Sequence, residues 1–194
     1  MDVVGIVLGA GRSTRLGRPK QTLPFGATTV LGHVVAAAEA SQLTRVVVVL
    51  GGAEPEVRAA LEPDRAQLVS NEAYGTGCAS SLLAGLDATG TADAVMLLLG
   101  DMPGVDAPVI DSVLAHWSAV QPWAAVTAYT DRVGHPFMFS SDAFATLRGL
   151  HGDKAVWKIV DNDPSGRVAQ LRISQPCPRD IDTWDDYRAL VADL

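Results

Sequence analysis

Residues 8 to 20 read Leu-Gly-Ala-Gly-Arg-Ser-Thr-Arg-Leu-Gly-Arg-Pro-Lys and directly follow the apolar stretch Val3-Val4-Gly5-Ile6-Val7. Glycines let a backbone approach a ligand closely and turn several N–H groups toward it, while Arg12, Arg15, Arg18 and Lys20 supply countercharge. An apolar strand opening into such a loop predicts a grip on a triphosphate. In open α/β sheets this place, the carboxyl end of a strand, is where ligands bind. Two common nucleotide motifs are excluded. A P-loop needs Gly-Lys followed by Ser or Thr, whereas Lys20 stands between Pro19 and Gln21. A dinucleotide fingerprint needs a third glycine where Thr14 stands, and Pro19, Pro24 and Gly26 make the segment a long loop instead of a helix start.

Phosphate chemistry in an acidic protein calls for Mg²⁺, and Mg²⁺ calls for one or two carboxylates beside the phosphates. Asp101 follows Leu97-Leu98-Leu99-Gly100 and precedes Met102-Pro103, which puts it at a strand end facing the same sheet edge as the cationic loop. It reads as a metal ligand or as a turn aspartate. Asp180 and Asp182 alternate on an extended stretch and are expected to point the same way. One of them completes a metal shell, or Asp182 serves the dipole of a helix that Thr183 caps.

The elements that must position these groups follow from the apolar pattern. Strands are predicted at Val3–Leu8, Arg45–Leu50, Ala66–Val69, Ala94–Leu99, Ala124–Tyr129, Pro136–Ser140 and Val168–Ile173. Helices are predicted from Val30 to about Ser41 with a Thr28 or Thr29 cap, from Pro55 to Leu61 and from Ala79 to Leu86. Further helices run from an Asp106 cap through Trp117, from Ser141 or Asp142 to about Leu150, from Asp153 onward, and from a Thr183 cap through Leu190. Continuous apolar strands mean both sheet faces are covered, and strand–helix alternation means right-handed crossovers and a mostly parallel sheet. Pro136 argues for an edge or a strand start, which leaves Phe137 to Phe139 as an exposed edge able to pair.

With 194 residues, 48% hydrophobic and 19% charged, the chain has enough apolar content for one domain over residues 1–194. A net charge of −7 argues against nucleic acid, and its cations cluster near Arg12 to Lys20, which suits a small anionic ligand. Cys78 and Cys177 lack metal-type spacing and read as free thiols of a reducing compartment. No apolar run reaches transmembrane length and no targeting pattern opens the chain, so a cytoplasmic protein with no membrane partner is expected.

Several ordered motifs together resemble the MobA-like NTP-transferase family, within it the molybdenum-cofactor cytidylyltransferases. The family's L-x-A-G-x-S-x-R-M-G-x-x-K is matched by Leu8, Ala10, Gly11, Ser13, Arg15, Leu16, Gly17 and Lys20, with leucine for methionine. Its N-x-x-x-x-x-G and following serines are matched by Asn71, Gly77, Ser80 and Ser81. Its G-D-x-P is matched by Gly100, Asp101 and Pro103, and its G-H-P by Gly134, His135 and Pro136.

The resemblance implies a Rossmann-like three-layer α/β fold with one antiparallel strand. It implies an N-terminal half that binds nucleotide and a C-terminal half that binds the acceptor. It also implies Mg²⁺-dependent transfer of CMP from CTP to a phosphorylated acceptor such as molybdopterin, with pyrophosphate released and a molybdoenzyme as possible partner. Arg15 and Lys20 would hold the triphosphate, with Leu8, Ala10, Gly11, Arg12 and Ser13 in the nucleotide loop. Asp101 and Asp182 would bind the metal, and Asn71, Gly77, Ser80 and Ser81 would lie near base and ribose. Ala10, where guanosine-type members carry glycine, resembles the cytidine type. His135 and Lys154 would meet the acceptor. The chain departs from the family's G-D-x-G-A-R: Gly152-Asp153 is followed by Lys154-Ala155-Val156-Trp157, so a tryptophan replaces the arginine. The alternatives are transfer to a sugar phosphate or other small-molecule phosphate, and a nucleotide-binding accessory protein that turns nothing over.

Overall fold

The computed structural model describes residues 1–153, 155–161 and 166–194. Its main sheet has seven strands in the order β5-β4-β1-β6-β8-β7-β9. These are β1 (Val3–Leu8), β4 (Arg45–Leu50), β5 (Gln67–Ser70), β6 (Ala94–Leu99), β7 (Ala124–Ala128), β8 (Val133–Ser140) and β9 (Val168–Arg172). A small hairpin, β2 (Pro24–Phe25) with β3 (Thr28–Thr29), closes the cationic loop, and a 3₁₀ turn at Lys20–Thr22 precedes it. The expected long loop is therefore partly ordered into secondary structure.

Period-two alternation of the buried strands loads both faces. On one face Val3, Val7, Val46, Val48, Met96 and Leu98 pack against Leu31 and Val34 of α1 (Val30–Ala40) and Ile110 and Trp117 of α4 (Ala107–Val120). On the other, Val4, Ile6, Val47, Val49, Val95 and Leu97 meet Leu82 and Leu86 of α3 (Cys78–Ala88), Leu147 of α5 (Phe144–Arg148) and Val156 of α6 (Ala155–Asp161). Each such fully buried aliphatic side chain contributes about 1.5–3 kcal/mol. The result is three layers. The cap predictions hold: the Thr29 side chain accepts from Gly32 N–H and that of Asp106 from Val109 N–H. Helix α2 (Glu54–Ala59) starts one residue before Pro55.

Among the described residues of the main sheet, β8 is the one strand that runs antiparallel to its neighbours, pairing so with both β6 and β7. It begins at Val133, not Pro136, and lies inside the sheet, so the expected exposed edge at Phe137–Phe139 is corrected. Those residues are 0% exposed. A proline is tolerated there because the β7–β8 register shifts at Val126/Thr127. The ladder needs no N–H from Pro136 at that irregularity, and its carbonyl accepts from Thr127 Oγ1 at 2.6 Å.

A third apolar cluster joins Leu16, Leu23, Phe25 and Val30 to Ile181, with Trp184 and Tyr187 of α7 (Trp184–Ala192) packed against it. The C-terminal segment is thus a strap fastened onto the cationic loop. Thr183 and Asp186 form a capping box at the start of α7, and Tyr187 donates its hydroxyl to Pro24 O at 2.7 Å. Both cysteines are free thiols. Among the described residues no helix is long and apolar enough to cross a membrane.

Candidate functional site

The parallel register aligns Leu8 with Val49 and with Leu99, so β1, β4 and β6 end together. Gly9 N–H continues to Val49 O and Gly100 N–H to Leu8 O. A side chain at Gly100 would put its Cβ 2.8 Å from Leu8 O, so only glycine lets these strand ends meet. Beyond them opens a cavity of about 470 Å³, lined by Leu8, Ala10, Gly11, Arg12, Lys20, Tyr74, Gly77, Ser81, Asp101 and Asp153 among others.

The loop is stapled from within. Gln21 is buried and donates from Nε2 to Gly9 O (2.8 Å) and Gly11 O (2.7 Å). Ser13 donates to Gln21 Oε1 and accepts from Lys20 N–H at 2.9 Å, with its own backbone left-handed at φ 51°. The Arg12 guanidinium lies 5.0 Å from the Tyr74 ring centroid. Gln21 and Tyr74 were missed by sequence reasoning. Gln21 carries no local signal, since its work is to reach back ten residues; Tyr74 stands inside the Asn71–Gly77 motif as an aromatic on a short turn.

On the sheet edge the charged groups converge on one nitrogen. Lys20 Nζ lies 2.5 Å from Asp101 Oδ2 and 3.2 Å from Asp182 Oδ1, and donates to Ile181 O at 2.6 Å. Arg15 Nη1 holds Asp182 Oδ2 at 2.7 Å. The strap is pinned there by Ile181 N–H donating to Asp101 O. The side chains of Lys20 and Asp101 are only 13% and 22% exposed, against 49% for Asp182. Burial works to lower the Lys20 ammonium, but Asp101 and then Asp182 outweigh it, and the group is held above its ordinary value. Asp101 is raised by burial, which exceeds the opposing pull of Lys20. Of the two acids singled out on the strap, Asp182 makes these contacts.

Two carboxylates and a main-chain carbonyl form a set of hard oxygen donors of the kind Mg²⁺ and Mn²⁺ accept, and the ammonium is a stand-in cation at their focus. The residues present fit a divalent ion. Among the described residues no group of three or more His, Cys, Asp and Glu is arranged for a metal, so further oxygens would come from phosphate or water.

The remaining expected residues play supporting parts. Asn71 is buried; its Nδ2 donates to Ser80 Oγ and Ser81 Oγ, and its Oδ1 accepts from Ala73 N–H, so its amide is spent holding the first turn of α3. Ser80 donates to Ala73 O or Gly77 O, while Ser81 reaches the cavity wall. Gly77 has φ 118° and presses on Gly152, which frees Cys78 N–H to meet Asp153 Oδ1 at 3.0 Å. Asp153 thereby caps α3 from 75 residues away.

His135 was expected at the acceptor, but it is 7% exposed and stacks on Phe137 with ring centroids 4.0 Å apart. Its Nδ1 sits 3.3 Å from Leu97 O, and burial pushes its pKa down to about 4. It is a neutral core residue and not part of the cavity lining. Trp157, in the place of the family's arginine, packs edge-on to Phe137 at 4.9 Å. Lys154 lies outside the described residues.

Glycine-rich cationic turn, strand-end acid and acidic strap define a three-layer α/β protein whose cationic and acidic side chains cluster at its strand ends. The model of the MobA-like NTP transferase domain matches residues 5–168, and the chain belongs to that family. The nicotine blue oxidoreductase of Paenarthrobacter nicotinovorans is 32% identical over 174 residues, 86% of this chain and 80% of the relative. The crystal structure of Rv0371c from Mycobacterium tuberculosis H37Rv superposes with a TM-score of 0.90 at 41% identity, covering 98% of each chain. A crystal structure of that protein in complex with manganese matches along the whole of both chains, with a TM-score of 0.88 and 38% identity.

Proposed function

We propose that this chain is a Mg²⁺-dependent nucleotidyltransferase that moves CMP from CTP to a phosphorylated small molecule such as molybdopterin. The observation that carries the reading is the meeting of Arg15, Lys20, Asp101 and Asp182 in one charged cluster, of which Lys20 and Asp101 line the cavity. An oxygen of the acceptor phosphate attacks the α-phosphorus. The bond from that phosphorus to the bridging oxygen breaks, and pyrophosphate leaves with the electron pair. The attacking oxygen is already anionic, so no side chain need remove a proton; alignment and charge neutralisation supply the rate.

The loop N–H groups with Arg15 and Lys20 hold the triphosphate in line. Asp101 and Asp182 would hold Mg²⁺, which neutralises charge on the leaving pyrophosphate. Ala10 and Ser81 border the base and ribose, and the alanine methyl supports cytosine over a purine. Lys154, which follows the cavity-lining Asp153, is our preferred acceptor contact; His135 is too enclosed to serve. The two free thiols and a nucleoside triphosphate substrate suit a cytoplasmic setting, with a molybdoenzyme as the eventual recipient of the product.

A second reading is favoured by the likeness to nicotine blue oxidoreductase: the same cavity would serve an oxidoreductase reaction instead of nucleotidyl transfer. A panel of nucleoside triphosphates against phosphorylated acceptors, read by pyrophosphate release, separates the two. Release that is fastest with CTP and requires a divalent ion supports the transferase. Absence of both CTP binding and pyrophosphate release with any acceptor supports the second reading, and CTP binding without pyrophosphate release supports an accessory role.

A further inference from the structure

The Lys20 ammonium has three protons and three oxygen neighbours: Asp101 Oδ2 at 2.5 Å, Ile181 O at 2.6 Å and Asp182 Oδ1 at 3.2 Å. A lysine so engaged has no donor left for a phosphate. The two carboxylates that fit a divalent ion are likewise already sharing a cation. With Arg15 on the outer oxygen of Asp182, two positive and two negative charges cancel. A free divalent ion approaching this cluster meets a neutral group and not a pair of open carboxylates.

From this we infer that Lys20 is the resident counter-ion of Asp101 and Asp182, a competitor for the metal position that yields only when triphosphate arrives. Its backbone is fixed, because its N–H donates to Ser13 Oγ. The change is therefore confined to the four-carbon side chain, a flexible stem carrying a compact charge. Lys20 lines the same cavity as Gly9, Ala10 and Gly11, so the phosphates that the loop cradles lie on its own wall. When the ammonium turns to phosphate, Asp101 and Asp182 are released to the divalent ion. Metal alone then binds weakly, metal with nucleotide binds well, and each ligand raises affinity for the other by the same factor. The inference rests on the proposed metal role of Asp101 and Asp182 and adds an order of entry to it.

The test is Mn²⁺ binding followed by electron paramagnetic resonance, without and with CTP, in the wild type, Lys20→Met and Asp101→Asn. Lys20→Met is expected to bind Mn²⁺ more tightly than wild type when no nucleotide is present. The gain should fall within the roughly 5- to 150-fold range of such couplings. CTP should then help the variant's metal binding less than it helps the wild type's. If Asp101→Asn loses Mn²⁺ while Lys20→Met matches wild type, the competition is overturned and the metal role stands. If Asp101→Asn binds Mn²⁺ normally, the metal role falls and takes the inference with it.

A second measurement needs no variant. The chain has only three lysines, Lys20, Lys154 and Lys158, so nitrogen-15 spectra of the lysine ammonium groups are simple to assign. A protected Lys20 ammonium signal in the nucleotide-free protein that moves on addition of CTP with Mg²⁺ supports the inference. A Lys20 signal unchanged by saturating CTP and Mg²⁺ overturns it.

Discussion

Gln21→Met tests how far the shape of the phosphate-gripping turn depends on one buried amide. Methionine keeps the volume and removes both donors. The wild-type side chain donates to Gly9 O at 2.8 Å and Gly11 O at 2.7 Å. Each bond is worth about 0.5–1.5 kcal/mol net, and the buried Gly9 carbonyl, stripped of its donor, costs about 1–3 kcal/mol more. The expected loss is about 2–6 kcal/mol, read as a lower urea midpoint at constant m-value. For a chain of this length that corresponds to a fall in melting temperature of roughly 4–24 °C. CTP affinity, measured by calorimetry with Mg²⁺, should weaken alongside, because the turn that aims the N–H groups is loosened. A stability loss below about 0.5 kcal/mol, the ordinary scatter of a surface substitution, with CTP affinity intact would refute the staple.

Three further outcomes are expected. Asp101→Ala should lower pyrophosphate release by on the order of 10²-fold or more, about 3 kcal/mol of transition-state stabilisation, and chelation of divalent ions should abolish release until Mg²⁺ or Mn²⁺ is restored. Gly77→Ala should be destabilised by about 2–4 kcal/mol in denaturant titration, since φ is 118° and the new Cβ would lie 2.8 Å from Gly152 Cα; an unchanged midpoint would contradict the close contact. His135, with a pKa near 4 when folded, takes up its proton in the unfolded chain first, near pH 6.5. Stability should therefore be full above pH ~6.5 and fall by about 3 kcal/mol as pH drops to ~4, an excess loss that His135→Phe removes.

What was legible in the chain was local. Gly9, Gly11 and Lys20 stand within twelve residues of a strand end, and Asp101 directly follows an apolar run, so strand placement alone carries them to the same edge. The strand boundaries of β1, β4 and β6 came from short runs without a charge after their first residue, rich in valine, isoleucine and leucine. The rest depends on contacts distant in sequence. Nothing near Asp182 says that it, and not Asp180, bends toward Lys20; Ile181, buried beneath Leu16 and Leu23, sets that turn. Pro136 read as an edge or a strand start because the third place open to a strand proline, a bulge, shows only in the register shift at Val126/Thr127, which is invisible without the partner strand. His135 was expected to meet the acceptor, but Phe137 and Leu97 O enclose it. Asn71 was expected near base and ribose; its amide is committed to Ser80, Ser81 and Ala73, contacts no local signal announces.

The most direct test of the site as a whole is a crystal structure with CTP and Mn²⁺, using the anomalous signal of manganese to locate the ion. The expected result is a manganese peak between Asp101 and Asp182, the triphosphate along Gly9 to Arg12, and Lys20 Nζ on a phosphate oxygen. Manganese away from both carboxylates, or a nucleotide seated outside this cavity, would contradict it.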